Sequence, residues 1–167
     1  MNTRITFALI AATLFLPVAA HAAKEPDDRP KLAVVVVENL RNTGNAIDDF
    51  VRLDMAFEKV AKERKWPVAI DAERFAANTP EHETEVRIFP RPIRQELPDE
   101  FVFRGWLTLK VDGEKHDFGI IKFEYRPRPG EWNDDVLDKI FLGAVRKMAD
   151  KIEPLLFPKE EPSADGS

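Results

Sequence analysis

Six apolar residues stand in an unbroken run at Leu32–Val37 (LAVVVV), and no other stretch restricts the fold of this chain as much. A strand with one wet face alternates apolar and polar residues. A strand apolar at every position must be covered on both faces, so it belongs in the middle of a sheet. A polar loop with a single glycine, Gly44, follows, and then a helical pattern. Strand, glycine loop and helix is how many phosphate sites begin, but the residues here refuse a nucleotide. A phosphate loop needs several glycines and then Lys-Ser/Thr at the helix start. This chain offers Asn45-Ala46, followed by Asp48 and Asp49, whose charges would repel an anion at the helix N-terminus.

The helix is predicted over Ala46–Lys65, with Asn45 as its N-cap and an apolar stripe of Ile47, Phe50, Val51, Phe57, Val60 and Ala61. Trp66-Pro67 ends it, because proline drives the preceding residue out of helical geometry. Pro67–Phe75 reads as a second strand and Thr84–Phe89 as a short third one, broken and held to a sheet edge by "PRP" at 90–92. Phe101–Val111 and Lys115–Tyr125 form a hairpin about Asp112-Gly113. A two-residue turn there sets Phe103 opposite Lys122 and Phe101 opposite Glu124. A three-residue loop, Val111–Gly113, sets Phe103 opposite Ile121, Phe101 opposite Phe123 and Trp106 opposite Phe118. The second keeps one face apolar throughout and is the expected register. A last helix runs from Asp134, capped by Asn133, to about Glu153, where Pro154 stops it. Its stripe is Leu137, Ile140, Phe141, Ala144, Val145, Met148 and Ile152. The order β-α-β-β-β-β-α predicts a single two-layer α+β domain over residues 31–158. It has a mixed sheet of about five strands, opened by a parallel crossover, and two helices on one face.

Met1–Ala22 reads as a secretory signal: Arg4, an apolar stretch Ile5–Ala20 interrupted by Pro17, and Ala20-His21-Ala22 as the cleavage site. Residues 23–30 are then a polar lead-in and residues 159–167 (KEEPSADGS) a disordered tail. The expected location is periplasmic or secreted, with no transmembrane segment after cleavage. There is no cysteine, which excludes disulfides and a lipid-bearing cysteine alike and suits an oxidising compartment. The net charge of −5 argues against a nucleic-acid partner.

Serine is confined to the tail (Ser163, Ser167), so serine and cysteine nucleophiles are both missing from the expected domain. Three residues leave room for other chemistry. Asp54 falls inside the first helix's apolar stripe, where a bridge to a cation, a half-exposed stripe edge or an acid–base role would each account for it. His82 lies in "EHETE", which has oxygen and imidazole donors but no metal-ligand spacing; His116 stands alone. A small carboxylate- or metal-dependent enzyme built on Asp54, His82 and His116 is the alternative to a binding protein, and a self-associating subunit is another. The expectation is no catalytic residue, no metal and no cofactor.

Two surfaces could bind. "RIFPRPIR" and "RPRPG" supply Arg87, Arg91, Arg94, Arg126 and Arg128. Guanidinium groups read carboxylates and phosphates through two hydrogen bonds at once, so a converging cluster would take an anionic glycan, a lipid head group or an acidic protein. On the hairpin, Val102, Trp106, Phe118 and Ile120 share the face away from the expected helices, among Arg104, Thr108 and Lys122. If bare, that face is an interaction site; the alternative is burial under the lead-in or Leu155-Leu156-Phe157.

Val34–Val37, Asn39, Thr43 and Gly44, followed by a helix and "KWPVAID", resemble the V-x-x-x-x-N-x-T/G opening of three groups. These are the penicillin-binding-protein activator lipoproteins, the curli-secretion lipoprotein and the N-terminal domain of the Tol-Pal translocation protein. "FVFRGWLTL" is similar to their later sheet. Here Val36-Val37-Glu38 replaces their proline-phenylalanine, and the lipid-bearing cysteine is missing. The resemblance implies a small sheet with helices packed on it and a non-catalytic role as a partner in envelope machinery. It implies no particular site residue.

Overall fold

A computed structural model describes residues 29–37, 46–75, 82–131 and 134–158. The elements are β1 (Lys31–Val37), α1 (Ala46–Arg64), β2 (Ala69–Phe75), β3 (Glu85–Leu97), β4 (Glu100–Val111), β5 (Glu114–Tyr125) and α2 (Asp134–Leu156). The strands form one sheet in the order β2-β1-β3-β4-β5. The apolar run sits where its composition requires. β1 pairs in parallel with β2 on one side and β3 on the other, and Leu32 to Val36 are buried on both faces. β3, β4 and β5 continue as antiparallel neighbours. This is the mixed five-stranded α+β domain that the element order predicts. The signal segment, the Asn45 and Asn133 caps, the Asn39–Gly44 motif and the tail lie outside the described residues.

Both helices pack on one face. Leu53, Phe57 and Val60 of α1 and Ile140, Phe141, Val145, Met148 and Ile152 of α2 meet Leu32, Val34, Val36, Val86, Ile88, Phe103, Leu107, Leu109 and Ile121 in a single core, while Val51 of the expected first stripe is exposed. Phe57, Phe103 and Phe141 are fully buried within it. Phe103 and Phe141 meet edge-on, with ring centroids 5.7 Å apart. Burying side chains of this size contributes roughly 1.5–3 kcal/mol each, which makes this layer the main source of stability. α2 lies over β4 and β5, and α1 lies beside it toward β2. Arg64 links the helices, reaching Glu153 at 2.6 Å and Asp150 at 2.5 Å, and these two hydrogen bonds, Glu153 foremost, raise its pKa.

α1 ends in a Schellman turn. Lys65 takes φ 57°. Trp66 N–H donates to the Ala61 carbonyl at 2.9 Å and Lys65 N–H to the Lys62 carbonyl at 3.2 Å. Trp66 is thereby buried against Phe157, at a centroid distance of 5.5 Å. Leu156 and Phe157 therefore close the helix-side core and do not cover the opposite face of the hairpin.

Four sequence expectations are corrected. β2 begins at Ala69, not Pro67. α2 passes Pro154 and ends at Leu156, with Phe157 N–H bonded to the Glu153 carbonyl at 2.9 Å. A proline this close to the end interrupts little of the helix. β3 neither stops at "PRP" nor is short. It pairs with β1 only over Glu85–Ile88 and with β4 from Glu85 to Leu97. Pro90 and Pro92 fall beyond the reach of β1, where a missing N–H costs no ladder bond, and a bulge between Arg91 and Arg94 absorbs the distortion.

The hairpin register is the fourth. The turn is the two-residue one, with Asp112 at φ 51° and Gly113 at φ 80°, so Val111 faces Glu114. A bulge at Asp117–Gly119 then shifts β5 by one residue, bringing Phe103 opposite Phe123 and Phe101 opposite Tyr125. Gly119 supplies φ 69°, and its N–H is held by Asp117 Oδ1 at 2.8 Å. The bulge reconciles the tight turn with an apolar inner face, which neither uninterrupted register could do.

Candidate interaction surface

The other face of the sheet carries neither helix, and its side chains lie in rows across the strands. Phe89, Trp106 and Ile120 are cross-strand neighbours on β3, β4 and β5. They are 39 %, 41 % and 47 % exposed, a continuous apolar row open to solvent. Val37 and Phe75, paired on β1 and β2, are half-buried on the same face. The next row along the strands is cationic: Arg91, Arg104 and Lys122 stand side by side. Arg104 is paired with Glu96 at 2.5 Å and Lys122 with Glu124. The second contact raises the lysine's pKa and lowers the glutamate's. Arg91 and Arg94 are exposed and make no ion pair among the described residues. Arg94 lies opposite Val102, just beyond the cation row.

The row on the far side of Phe89 is closed. Arg87 lies between buried Val35 and Thr108 and pairs with Glu85 at 2.8 Å. That contact lacks hydrogen-bond alignment, so Arg87 Nε and Nη2 are buried without an acceptor. Arg87 is thus a structural charge, not a free ligand group. Glu85 also accepts the His82 N–H at 3.2 Å, and His82 Nε2 lies 3.1 Å from Glu73 Oε2.

The five arginines singled out from sequence do not form one cluster. Arg87, Arg91 and Arg94 share the open face. Arg126 is bound to Glu100 through Nε and Nη2 at 3.2 and 3.1 Å. Arg128 belongs to the loop after β5, where its N–H donates to Glu131 Oε2 at 3.1 Å. Tyr125 and Lys139 reach the same carboxylate at 3.0 Å each, and the three donors, the Arg128 N–H foremost, lower the Glu131 pKa to about 2. Of the four apolar residues, Trp106 and Ile120 are exposed and adjacent. Val102 is fully buried, and the bulge turns Phe118 to the helix side, where it packs on the core. Phe89 takes its place. It was missed because β3 was expected to break off there.

Asp54, His82 and His116 do not share a site. Asp54 is half-buried on α1, engaged in a polar interaction on the helix side. His82 contacts β2 on the opposite face, and His116 lies on β5, beside Glu114. The β2 and β5 edges are four strand spacings apart, roughly 19 Å. No group of three or more His, Cys, Asp or Glu side chains gathers as a metal site among the described residues. A shallow groove of about 300 Å³ on the helix side is lined by Arg52, Met55, Asp138 and Leu142, with Arg52 held by Asp134 and Asp138.

No family model and no curated protein matches the chain. Solved structures share its arrangement loosely. A minor lipoprotein from Acinetobacter baumannii is 12% identical, over 77% of this chain and 95% of that one, with a TM-score of 0.37. A hypothetical protein from Chlamydia trachomatis is 7% identical over 75% and 96%, with a TM-score of 0.43. The rare lipoprotein B from Shewanella oneidensis is 9% identical over 75% and 98%, with a TM-score of 0.37. Superpositions this partial carry no functional weight. What fold and surface define is a class: a small two-layer α+β domain with an amphipathic sheet face opposite its two described helices. Among the described residues no helix is long and apolar enough to cross a membrane.

Proposed function

We propose that this chain is an exported, non-catalytic accessory protein of the cell envelope that docks an anionic partner on the open face of its sheet. One observation carries the reading: the exposed row Phe89–Trp106–Ile120 lies beside the cation row Arg91–Arg104–Lys122, on the face opposite α1 and α2. Tryptophan and arginine are the residues through which interfaces concentrate their binding energy, and an exposed apolar strip flanked by charge is their usual setting. The signal-like sequence of Met1–Ala22 supports the envelope location. The distance between His82, beside β2, and His116, on β5, favours this reading over a single site built from Asp54, His82 and His116.

A photo-crosslinking amino acid placed at position 106 in intact cells tests the docking role, with position 55 on the helix side as the control. Adducts at 106 that disappear in an Arg91→Glu background support it. Equal adducts from both positions, or none from 106, refute it. N-terminal sequencing of the protein from the envelope fraction tests export; a mature chain beginning at Ala23 is expected, and a retained Met1 would contradict it.

A further inference from the structure

We infer that the occupant of the open face is an acidic amphipathic helix of a partner protein, lying across the strands of the sheet. The inference rests on the docking role proposed above and adds the chemistry and shape of the partner.

The two rows set the geometry. Each contributes one side chain per strand across β3, β4 and β5. The repeat along a row is therefore the strand spacing, about 4.8 Å. A helix repeats every turn at about 5.4 Å. Residues at i, i+3 or i+4, and i+7 cover about 10.5 Å, against about 9.6 Å for three strands, so a helix crossing the strands meets each one with one side chain. The rows are two residues apart along the strand, about 6.7 Å. On a helix about 10 Å across, a stripe one residue further on lies 100° round the axis, about 8 Å away. An apolar stripe on Phe89, Trp106 and Ile120 thus brings the adjacent stripe over Arg91, Arg104 and Lys122.

Charge sets the sign of that second stripe. Arg91 stands directly opposite Arg104, a like-charge pair that weakens a sheet unless an anion lies between. Arg104 and Lys122 have internal partners in Glu96 and Glu124, whereas Arg91 and Arg94 remain exposed and without an ion pair among the described residues. Carboxylates on the docked stripe would bridge them.

Other occupants fit less well. Strand addition is opposed at both edges that flank this surface. Past the end of β1, where no described strand pairs with it, the edge of β3 carries Pro90 and Pro92. The edge of β5 is broken by the Asp117–Gly119 bulge, and Lys147 Nζ covers the Lys122 carbonyl at 3.1 Å. An anionic lipid carries its charge at one end of its chain, whereas these two rows run side by side across three strands.

The test uses the full-length chain and a labelled 18-residue peptide with leucine once per turn and glutamate at the following position. A scrambled peptide, a peptide with lysine for glutamate, and phosphatidylglycerol vesicles are the comparisons. The patterned peptide is expected to bind at least tenfold more tightly than the scrambled or lysine versions. Trp106→Ala and Arg91→Glu should each weaken it about tenfold, and Met55→Ala should leave it unchanged; circular dichroism confirms that each variant is folded. Equal binding of patterned and scrambled peptides overturns the helix. So does binding of vesicles, but not peptide, in a Trp106- and Arg91-dependent way; the docking role then survives with a lipid as its anion. Failure of peptide and vesicles, together with no adducts from position 106, overturns both.

Discussion

Replacing Gly143 with alanine isolates the contact that seats α2 on the sheet. A Cβ at this position would stand 2.1 Å from Phe123 Cζ and 2.5 and 2.6 Å from its Cε atoms. Carbon atoms in contact sit about 3.5–4.0 Å apart, so the ring must swing by more than about an ångström or the helix must lift. The ring also lies under Lys147, whose Nζ is 5.6 Å from its centroid, and a swing disturbs that contact. Two opposing magnitudes decide the outcome. Alanine gains about 1 kcal/mol over glycine inside a helix. Forcing a methyl group into a filled site costs about 1–3 kcal/mol. The expected net effect of Gly143→Ala is a loss of about 1 kcal/mol. In a Phe123→Ala background the clash vanishes and only the propensity remains, so the same substitution should stabilise by up to about 1 kcal/mol. Urea titrations of the four proteins at 25 °C give the cycle, and a coupling of about 2 kcal/mol is expected. An alanine that is neutral or stabilising with Phe123 present, or whose effect is the same in both backgrounds, refutes this account of how α2 and β5 meet.

Other parts of the fold make further predictions. Lys65 holds the left-handed position that glycine adopts freely, so Lys65→Gly should raise stability by about 1 kcal/mol in the same urea assay; a loss would mean that its side chain matters more than its backbone. Glu131 has a folded pKa of about 2, below its unfolded value near 4.5, so its contribution is complete above pH 4.5 and fades as pH falls toward 2. The gap in Tm between the wild-type chain and Glu131→Gln should shrink across that window, and a pH-independent gap would contradict it. Lys147→Ala uncovers the Lys122 carbonyl at the β5 edge and should let chains pair there. Sedimentation velocity should show a dimer absent from Lys147→Arg; a monomeric Lys147→Ala would show that the bulge alone guards the edge.

Much of this architecture is written in local patterns. The Leu32–Val37 run leaves no option but a central strand, and the two stripes at helical spacing name most of what α1 and α2 bury; Val51 of the first stripe is exposed and Leu53 is buried in its place. The face opposite the helices was harder to read because it depends on register, which local patterns determine less firmly. Gly119 inside a strand pattern, two residues after an aspartate, is the one local sign of the bulge that turns Phe118 inward and seats Ile120 beside Trp106. The survival of β3 through Pro90 and Pro92 has no local sign, since it depends on where β1 ends. With β3 restored, Phe89 and Arg91 join Trp106 and Arg104 on one surface. Of the two arginines that a shared sequence pattern groups with them, Arg126 is paired with Glu100, and Arg128 lies in the loop after β5, held there through its backbone N–H to Glu131.

Oxidative footprinting reads the occupancy of the open face in the cell. The full-length chain is exposed to hydroxyl radicals in intact cells and again after purification, and side-chain oxidation is read residue by residue. A docked open face predicts that Phe89 and Trp106 are oxidised at least threefold less in cells than in the purified protein, while exposed Met55 on the helix side reacts equally in both. Equal oxidation of Phe89 and Trp106 in the two states, or protection of Met55 in their place, would contradict it.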